Sequence, residues 1–403
     1  MEALARPVGG PVLTRPYKLL LALCAVGAGL LVWRFAAGLG AVTALNDGYP
    51  WGLWIAFDVV TGTALASGGF AMALLVYIFN KGKYHPLVRP AILTSALGYS
   101  MAGLAIAIDV GRPWLIWKIP LEVGRWNLNS VLLEVALCML AYTLVLWIEL
   151  SPAFLERWRE STRPGLRRFA EKSLPVLDRA LLWVLAAGIL LPSMHQSSLG
   201  TLMLLTGPRL HPLWNTPILP LLFLTSTLAM GYGTVVFETT LASYWYGLRT
   251  KKDMLLRLRR VAIAGSLLFV VLRLADLAVR GDLGHAVRPG LHAGLFWMEN
   301  ALFCMPLVLA LLWRSPRAHH LFLGAIALAG AGALFRFDTY LVAFDPGPGW
   351  SYFPSVGEIL ITCSIILFQI AIYIAVVKKF PILAGVDSAP ARIATPEPLP
   401  VRS

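Results

Sequence analysis

The stretch Leu190–Gly200, LLPSMHQSSLG, closes a long apolar run with a proline, a histidine and three further side chains that can all hydrogen-bond. A loop in water has no need of them. A helix facing lipid on every side hardly tolerates them, because hydrocarbon offers no partner for an unsatisfied polar group. The solvent around this segment therefore decides the fold.

Composition identifies that solvent. Of 403 residues, 58% are hydrophobic and 14% charged, against about 25% charged in a soluble domain, and the mean hydropathy is +0.71. The excess of 34 Lys and Arg over 21 Asp and Glu does not mark a nucleic-acid binder, because these charges sit in the gaps between apolar runs. Ten runs are long enough to cross a hydrocarbon core, which takes roughly 20 helical residues: 18–39, 51–79, 90–110, 128–149, 176–195, 217–241, 260–279, 292–312, 319–342 and 356–377. The first is full length and lacks a small-residue cleavage site, so it reads as a true span and not a cleaved signal.

The loops set the orientation. With the N-terminus inside, 25 Lys and Arg fall in the inner segments. Only Arg34, Arg112, Lys118, Arg125, Arg209, Arg280 and Arg288 fall outside. The positive-inside rule then places both termini in the cytoplasm. The expected fold is an all-α integral membrane protein of ten helices, followed by a cytoplasmic tail over 381–403. That tail ends in DSAPARIATPEPLPVRS, a Pro-, Ala- and Ser-rich composition expected to be disordered.

Cysteine and histidine limit the cofactors. Cys24, Cys138, Cys304 and Cys363 each lie in a separate span, whereas iron–sulfur clusters need grouped thiolates. Of the seven histidines, only His195 and His292 approach the bundle, both near the outer face. No haem and no iron–sulfur cluster is expected in this chain.

Ionisable residues inside a membrane are expensive and are functional candidates by default; the competing role is helix packing, as for Arg273 with Asp276 or Arg336 with Asp338. Asp58 lies about seven residues below Trp51, or about 10 Å deep at 1.5 Å per residue. Asp109 ends the third span, Glu134 begins the fourth, and His195 ends the fifth at LLPSMHQSSLG. Four successive helices thus point acid or imidazole groups at one outer layer. Trp51, Trp54, Trp114, Trp117 and Trp126 ring it, either as an interfacial belt or as a lining for an amphipathic ring. The small residues of TGTALASGG (61–69) let helices approach closely.

The next helices repeat the arrangement. Asp276 ends the seventh span as Asp109 ends the third, and Glu299 enters the eighth as Glu134 enters the fourth, at separations of 23 and 25 residues. The ninth exits with LFRFDTY, carrying Arg336 and Asp338. The sixth departs from the pattern, because Glu238 lies near its inner end. The expected domains are an N-terminal segment and first span (1–50), a four-helix bundle holding this outer layer of acids and His195 (51–205), a second four-helix bundle (217–345), a last span (355–380) and the tail (381–403). The two bundles would be related as a parallel repeat.

Two function classes fit. A quinone-reactive electron-transfer subunit needs an apolar tunnel, hydrogen bonds to the quinone oxygens and groups that exchange protons. Its electrons would arrive from a partner docked on outer loops 111–127, 196–216, 280–293 and 343–355. A secondary transporter also uses repeats and membrane carboxylates, usually at the midplane on broken helices. Polar groups gathered towards one face favour the redox class.

The strings DGYPWGLWIAFDVVTGTALASGGF (47–70), AIDVGRP (107–113), LPSMHQSSLGTL (191–202) and FWMENALFCMPL (296–307) resemble, in this order, the NrfD/polysulfide-reductase membrane-subunit family. Within it they most resemble the HybB-type branch, the integral membrane subunits of nickel–iron hydrogenase-2. The resemblance covers nearly all of the chain to about Lys379. It implies a subunit of the bacterial cytoplasmic (inner) membrane that partners a periplasmic iron–sulfur protein and, in the hydrogenase branch, a small and a large hydrogenase subunit. Electrons from H2 would reduce menaquinone or ubiquinone near the periplasmic face, with proton translocation as an option. Polysulfide reductase and alternative complex III use the same type of subunit, so the donor stays open. Carried over by position, Asp58, Asp109, Glu134 and His195 fall where such a quinone site would be, with Trp51 and Trp54 at its rim; His195 would hydrogen-bond one quinone oxygen, with Asp109 or Asp58 orienting or recharging it. Glu134, Asp276, Glu299, Arg336, Asp338 and Glu238 would carry protons.

Overall fold

The computed structural model describes residues 5–248, 252–313 and 316–385; the tail expected to be disordered lies almost wholly outside them. Among the described residues, ten helices are long and apolar enough to cross a membrane: α1 (Arg15–Ala37), α2 (Trp54–Ile78), α3 (Gly82–Asp109), α4 (Val131–Arg159), α5 (Pro164–Leu204), α6 (Leu219–Tyr246), α7 (Lys252–Val279), α8 (Leu291–Leu312), α9 (Ala318–Val342) and α10 (Val356–Lys379). We call the face where α1 ends and α2 begins the outer face, following the orientation expected from the charges.

Local chemistry marks several boundaries. The hydroxyl of Thr14 accepts the Tyr17 amide at the start of α1, and that of Ser130 accepts the Leu133 amide at the start of α4. Ser355 and Glu358 form a reciprocal capping box on α10, which satisfies donors that a helix start leaves orphaned. Gly247, at φ +64°, ends α6 in the left-handed conformation that glycine adopts without a Cβ penalty.

The helices pack as two quartets. α2, α3, α4 and α5 close on one another, and so do α6, α7, α8 and α9; α2 and α5 meet α6, and α2 also meets α9, along the seam between them. α1 lies outside both and packs on α10, which in turn packs on α3. Strand β1 (Ala5–Arg6) pairs antiparallel with β2 (Leu383–Ala384), joining the two ends of the described chain.

Two sequence expectations change. The fifth run is not a helix that ends at LLPSMHQSSLG: α5 continues through Leu204, with Pro192 inside it. The hydroxyls of Ser193, Ser197 and Ser198 donate back to the carbonyls of Ile189, Ser193 and Met194 four residues earlier, the in-helix bond that lets serine sit in apolar surroundings. The outer loop after α5 is correspondingly shorter than 196–216. At its other end α5 begins near residue 164 instead of 176. Its 41 residues make a helix of about 60 Å, twice the hydrocarbon thickness, so hydropathy detects only the middle of it.

The α2 helix is irregular. It runs as a π-helix over Trp54–Thr61, breaks at Ala66 and Ser67, and widens again to π over Leu74–Ile78. The outer end of α9 is also a π turn, Asp338–Val342. Such turns re-aim side chains and recur at functional sites; here one carries Asp58 and the other Asp338.

Candidate functional site

The outer layer of acids and imidazole does not converge on one point, and its members occupy three places. Asp58, nearly buried, accepts the Thr362 hydroxyl of α10 on Oδ2 at 2.7 Å. It lines a cleft of about 520 Å³ whose walls come from α2, α3, α6, α9 and α10. The remaining wall is mostly aliphatic, with Thr94, Thr234 and Gln369 as its neutral polar members.

His195 lies elsewhere, inside the first quartet. It is 0% exposed, its ring is 5.5 Å from that of Tyr99, and neither ring nitrogen has a hydrogen-bond partner among the described residues. Tyr99 in turn meets Tyr142 edge to face at 4.6 Å. One turn of α5 further out, the Ser198 hydroxyl oxygen also lies 2.8 Å from Glu134 Oε1. Gln196, next to His195, enters the seam: its amide donates to Thr63 at 3.1 Å and to the Tyr99 hydroxyl at 3.4 Å, and its carbonyl accepts from Thr227 at 2.7 Å.

Asp109 occupies the third place, at the outer end of α3. There Arg34 of α1 donates to the carbonyls of Ile108 and Val110, each at 2.7 Å. The tryptophans divide as well. Trp51 donates its indole N–H to the Tyr340 carbonyl and Trp54 to that of Glu358, so both are buried packing residues with committed donors. Trp114 and Trp117 are 66% and 55% exposed, as an interfacial belt requires.

The second quartet holds the densest ionic cluster. Arg273 of α7 pairs with Glu299 of α8; they are 3% and 0% exposed. Trp214 donates to the same carboxylate at 3.3 Å, and Asp338 of α9 lies close to Glu299, its Oδ2 buried without a hydrogen-bond partner among the described residues. The pairing expected along one helix, Arg273 with Asp276, does not form. Asp276 takes Arg280 at 2.9 Å near the outer end of α7. Arg336 likewise does not pair with Asp338; it enters the seam between the quartets. On the inner side Glu238 accepts from Tyr373 of α10 at 2.6 Å.

Sequence reading missed Glu358 and Glu149, and took Gln196 only as one of the hydrogen-bonding residues that close the fifth run. Glu358 was legible in the S-x-x-E spacing of SVGE at Ser355–Glu358; its carboxylate accepts from Ser355, the Ala44 amide and Tyr352. Glu149 is held against Gly188 of α5, where a Cβ would stand 2.6 Å from Oε1. A lone glutamate in an apolar helix gives no sign of that neighbour.

Three histidines gather at the outer end of the second quartet. The His211 and His292 rings stack at 4.2 Å, and that of His285 lies 5.8 Å from His211. His211, in the connection before α6, is held neutral well below its ordinary range, at about 4, first by burial and then by the two neighbouring imidazoles. The unfolded chain therefore takes up this proton between about pH 6.5 and 4 while the folded chain does not. Stability is expected to be unaffected by this residue above pH 7 and to fall as pH drops through that window. Thermal unfolding of His211→Asn in detergent should lose that part of the acid sensitivity; an unchanged pH profile would refute the assignment.

His211 and His292 lie ring on ring, not on opposite sides of a plane as the axial imidazoles of a bis-histidine porphyrin do, and His195 has the Tyr99 ring beside it. Among the described residues no group of three or more His, Cys, Asp or Glu is placed to hold a metal ion.

Ten helices long and apolar enough to cross a membrane, with buried carboxylates and a cleft among them, define a multi-pass membrane protein. The family model described as "Polysulphide reductase, NrfD" matches residues 41–341, and the chain belongs to that family. It is 39% identical over 388 residues, 94% of this chain and 95% of the other, to the probable Ni/Fe-hydrogenase 2 b-type cytochrome subunit of Escherichia coli (strain K12). It is also similar to the menaquinone reductase integral membrane subunit of Nitratidesulfovibrio vulgaris, 36% identical over 41% of this chain and 37% of that one. A selenate reductase subunit of Mesobacillus selenatarsenatis is 24% identical, with 60% of this chain and 59% of that protein covered.

Proposed function

We propose that this chain is the quinone-reactive membrane subunit of a periplasm-facing oxidoreductase in the bacterial cytoplasmic membrane. It passes electrons from H2 oxidation, delivered by a partner iron–sulfur protein and the hydrogenase small and large subunits, to menaquinone or ubiquinone. Family membership and the similarity to hydrogenase and menaquinone-reductase subunits support this reading. The observation that carries it is the cleft headed by Asp58 and Thr362. Its aliphatic walls suit an isoprenoid chain, and its one carboxyl group suits a ring oxygen that gains or loses a proton.

In this reading the quinone ring sits at Asp58. Trp51 and Trp54 stiffen the outer wall, and Asp109, held near Arg34, shapes the rim. His195 with the Glu134–Ser198 pair forms a separate protonatable group inside the first quartet, and Glu299, Asp338 and Glu238 are proton carriers. The break in α2 beside the cleft is also the geometry of a transporter ion site, and substrate-driven ion flux in proteoliposomes without a redox donor would favour that class instead.

Asp58→Asn in the assembled complex is expected to lower H2-driven menaquinone reduction in membranes at least about tenfold, the scale of a lost proton-exchanging group. Thr362→Val, which leaves the carboxyl in place, should have the smaller effect. Near-normal rates in Asp58→Asn with assembly intact would remove the cleft from the reaction.

A further inference from the structure

A run of polar side chains follows the seam between the two quartets. Towards the outer side Thr63, Gln196 and Thr227 are hydrogen-bonded in series. Deeper, Ser67 donates to the Thr227 carbonyl at 2.9 Å, and Ser95 accepts the Gly69 amide at 2.9 Å. Deeper still, the Thr234 hydroxyl is buried without a partner, and Glu238 bonds to Tyr373. Hydroxyls and carboxyls in series, with water between them, are the material of a proton wire. An open wire here would short-circuit any potential across the membrane.

Arg336 sits in that run. It is 0% exposed and donates to neutral groups only: the Phe223 carbonyl at 3.0 Å, the Ser226 hydroxyl, Gly332 carbonyl and Met230 sulfur at 3.2 Å each, the Gln196 carbonyl at 3.4 Å, and the Thr227 hydroxyl. No described carboxylate pairs with it, although buried guanidinium groups are ordinarily compensated. Arginine keeps its proton in proteins. The seam therefore contains a fixed, uncompensated positive charge, with Asp58, Glu134, Glu299 and Asp338 towards the outer face and Glu238 towards the inner.

We propose that Arg336 is a proton-excluding barrier. It holds three helices, α5, α6 and α9, around a charge that repels a migrating proton, as arginine does in water-selective pores. At about 10 Å and an effective dielectric of about 20, a unit charge lowers proton occupancy about tenfold. The outer acids can then exchange protons with a bound ligand without a leak to the inner face through the seam.

The test is passive proton conductance of proteoliposomes holding the full chain, with a potassium diffusion potential as driving force and an internal pH dye as readout. Neither quinone nor electron donor is present, so the result does not depend on the quinone reading. Arg336→Gln is expected to leak about tenfold more than the wild type, Arg336→Lys to stay tight, and Glu238→Gln added to Arg336→Gln to restore the low conductance. Arg336→Met serves as a second neutral variant if Arg336→Gln does not fold. A neutral variant as tight as the wild type would overturn the proposal. So would a lysine variant that leaks as much as the neutral one, or a leak that survives the Glu238 substitution, since either would mark Arg336 as a structural staple.

Discussion

Arg273→Met is expected to destabilise the protein by about 3–5 kcal/mol, because removing one member of a buried ion pair leaves the other charge without compensation. Glu299 is fully buried, and besides Arg273 only the Trp214 indole donates to it among the described residues. With the guanidinium gone, two acids, Glu299 and Asp338, would face each other among Phe269, Phe296 and Phe335, whose rings now surround the Arg273 cation at 4.4–5.8 Å. Denaturant unfolding in detergent should show the loss as a shifted midpoint. The double variant Arg273→Met/Glu299→Leu should recover most of it, since an apolar replacement of both partners removes the stranded charge. Wild-type stability in Arg273→Met would show that the pair is solvated and not desolvated as its exposure implies.

Gly200→Val is expected to be nearly as severe. A Cβ at Gly200 would stand 2.7 Å from the Pro220 Cα and 2.8 Å from the Leu219 carbonyl oxygen. Both are backbone atoms at the start of α6, which cannot rotate away as a side-chain tip can. Overpacking a tight contact costs about 1–3 kcal/mol, and here the relief must come from moving α5 relative to α6. That movement would carry Gln196 away from Thr227 and Arg336, so the seam should open along with the loss in stability. Gly29→Val, on a face with nothing within 4 Å, is the matched control and should be close to neutral. Equal melting temperatures for the two variants would show that the α5–α6 approach is looser than its geometry implies.

The run lengths and the alternation of charge made the ten helices legible, because the cost of exposing backbone and charge to hydrocarbon is imposed residue by residue along the chain. The candidate site was legible only as a layer. Residue counting along each helix puts Asp58, Asp109, Glu134 and His195 in one outer layer. They do not share a pocket, because azimuth around a helix depends on its regularity. In α2 a π segment over Trp54–Thr61 turns Asp58 towards α10, while Thr63 faces Gln196. Hydropathy also could not see that α5 runs on at both ends, since serines that bond back to their own helix resemble a capped end in sequence.

For LLPSMHQSSLG in particular, the sequence by itself determined that the segment lies in the membrane and carries groups that must be satisfied there. Only the tertiary structure decided how. The serines turn back on their own helix, Gln196 crosses to the second quartet, Gly200 lets α6 come close, and His195 is sealed against Tyr99. The reason is physical: transfer from water to lipid is a property of each residue, whereas a partner across the seam comes from another helix, more than 100 residues away for Arg336, and exists only once the two quartets have met.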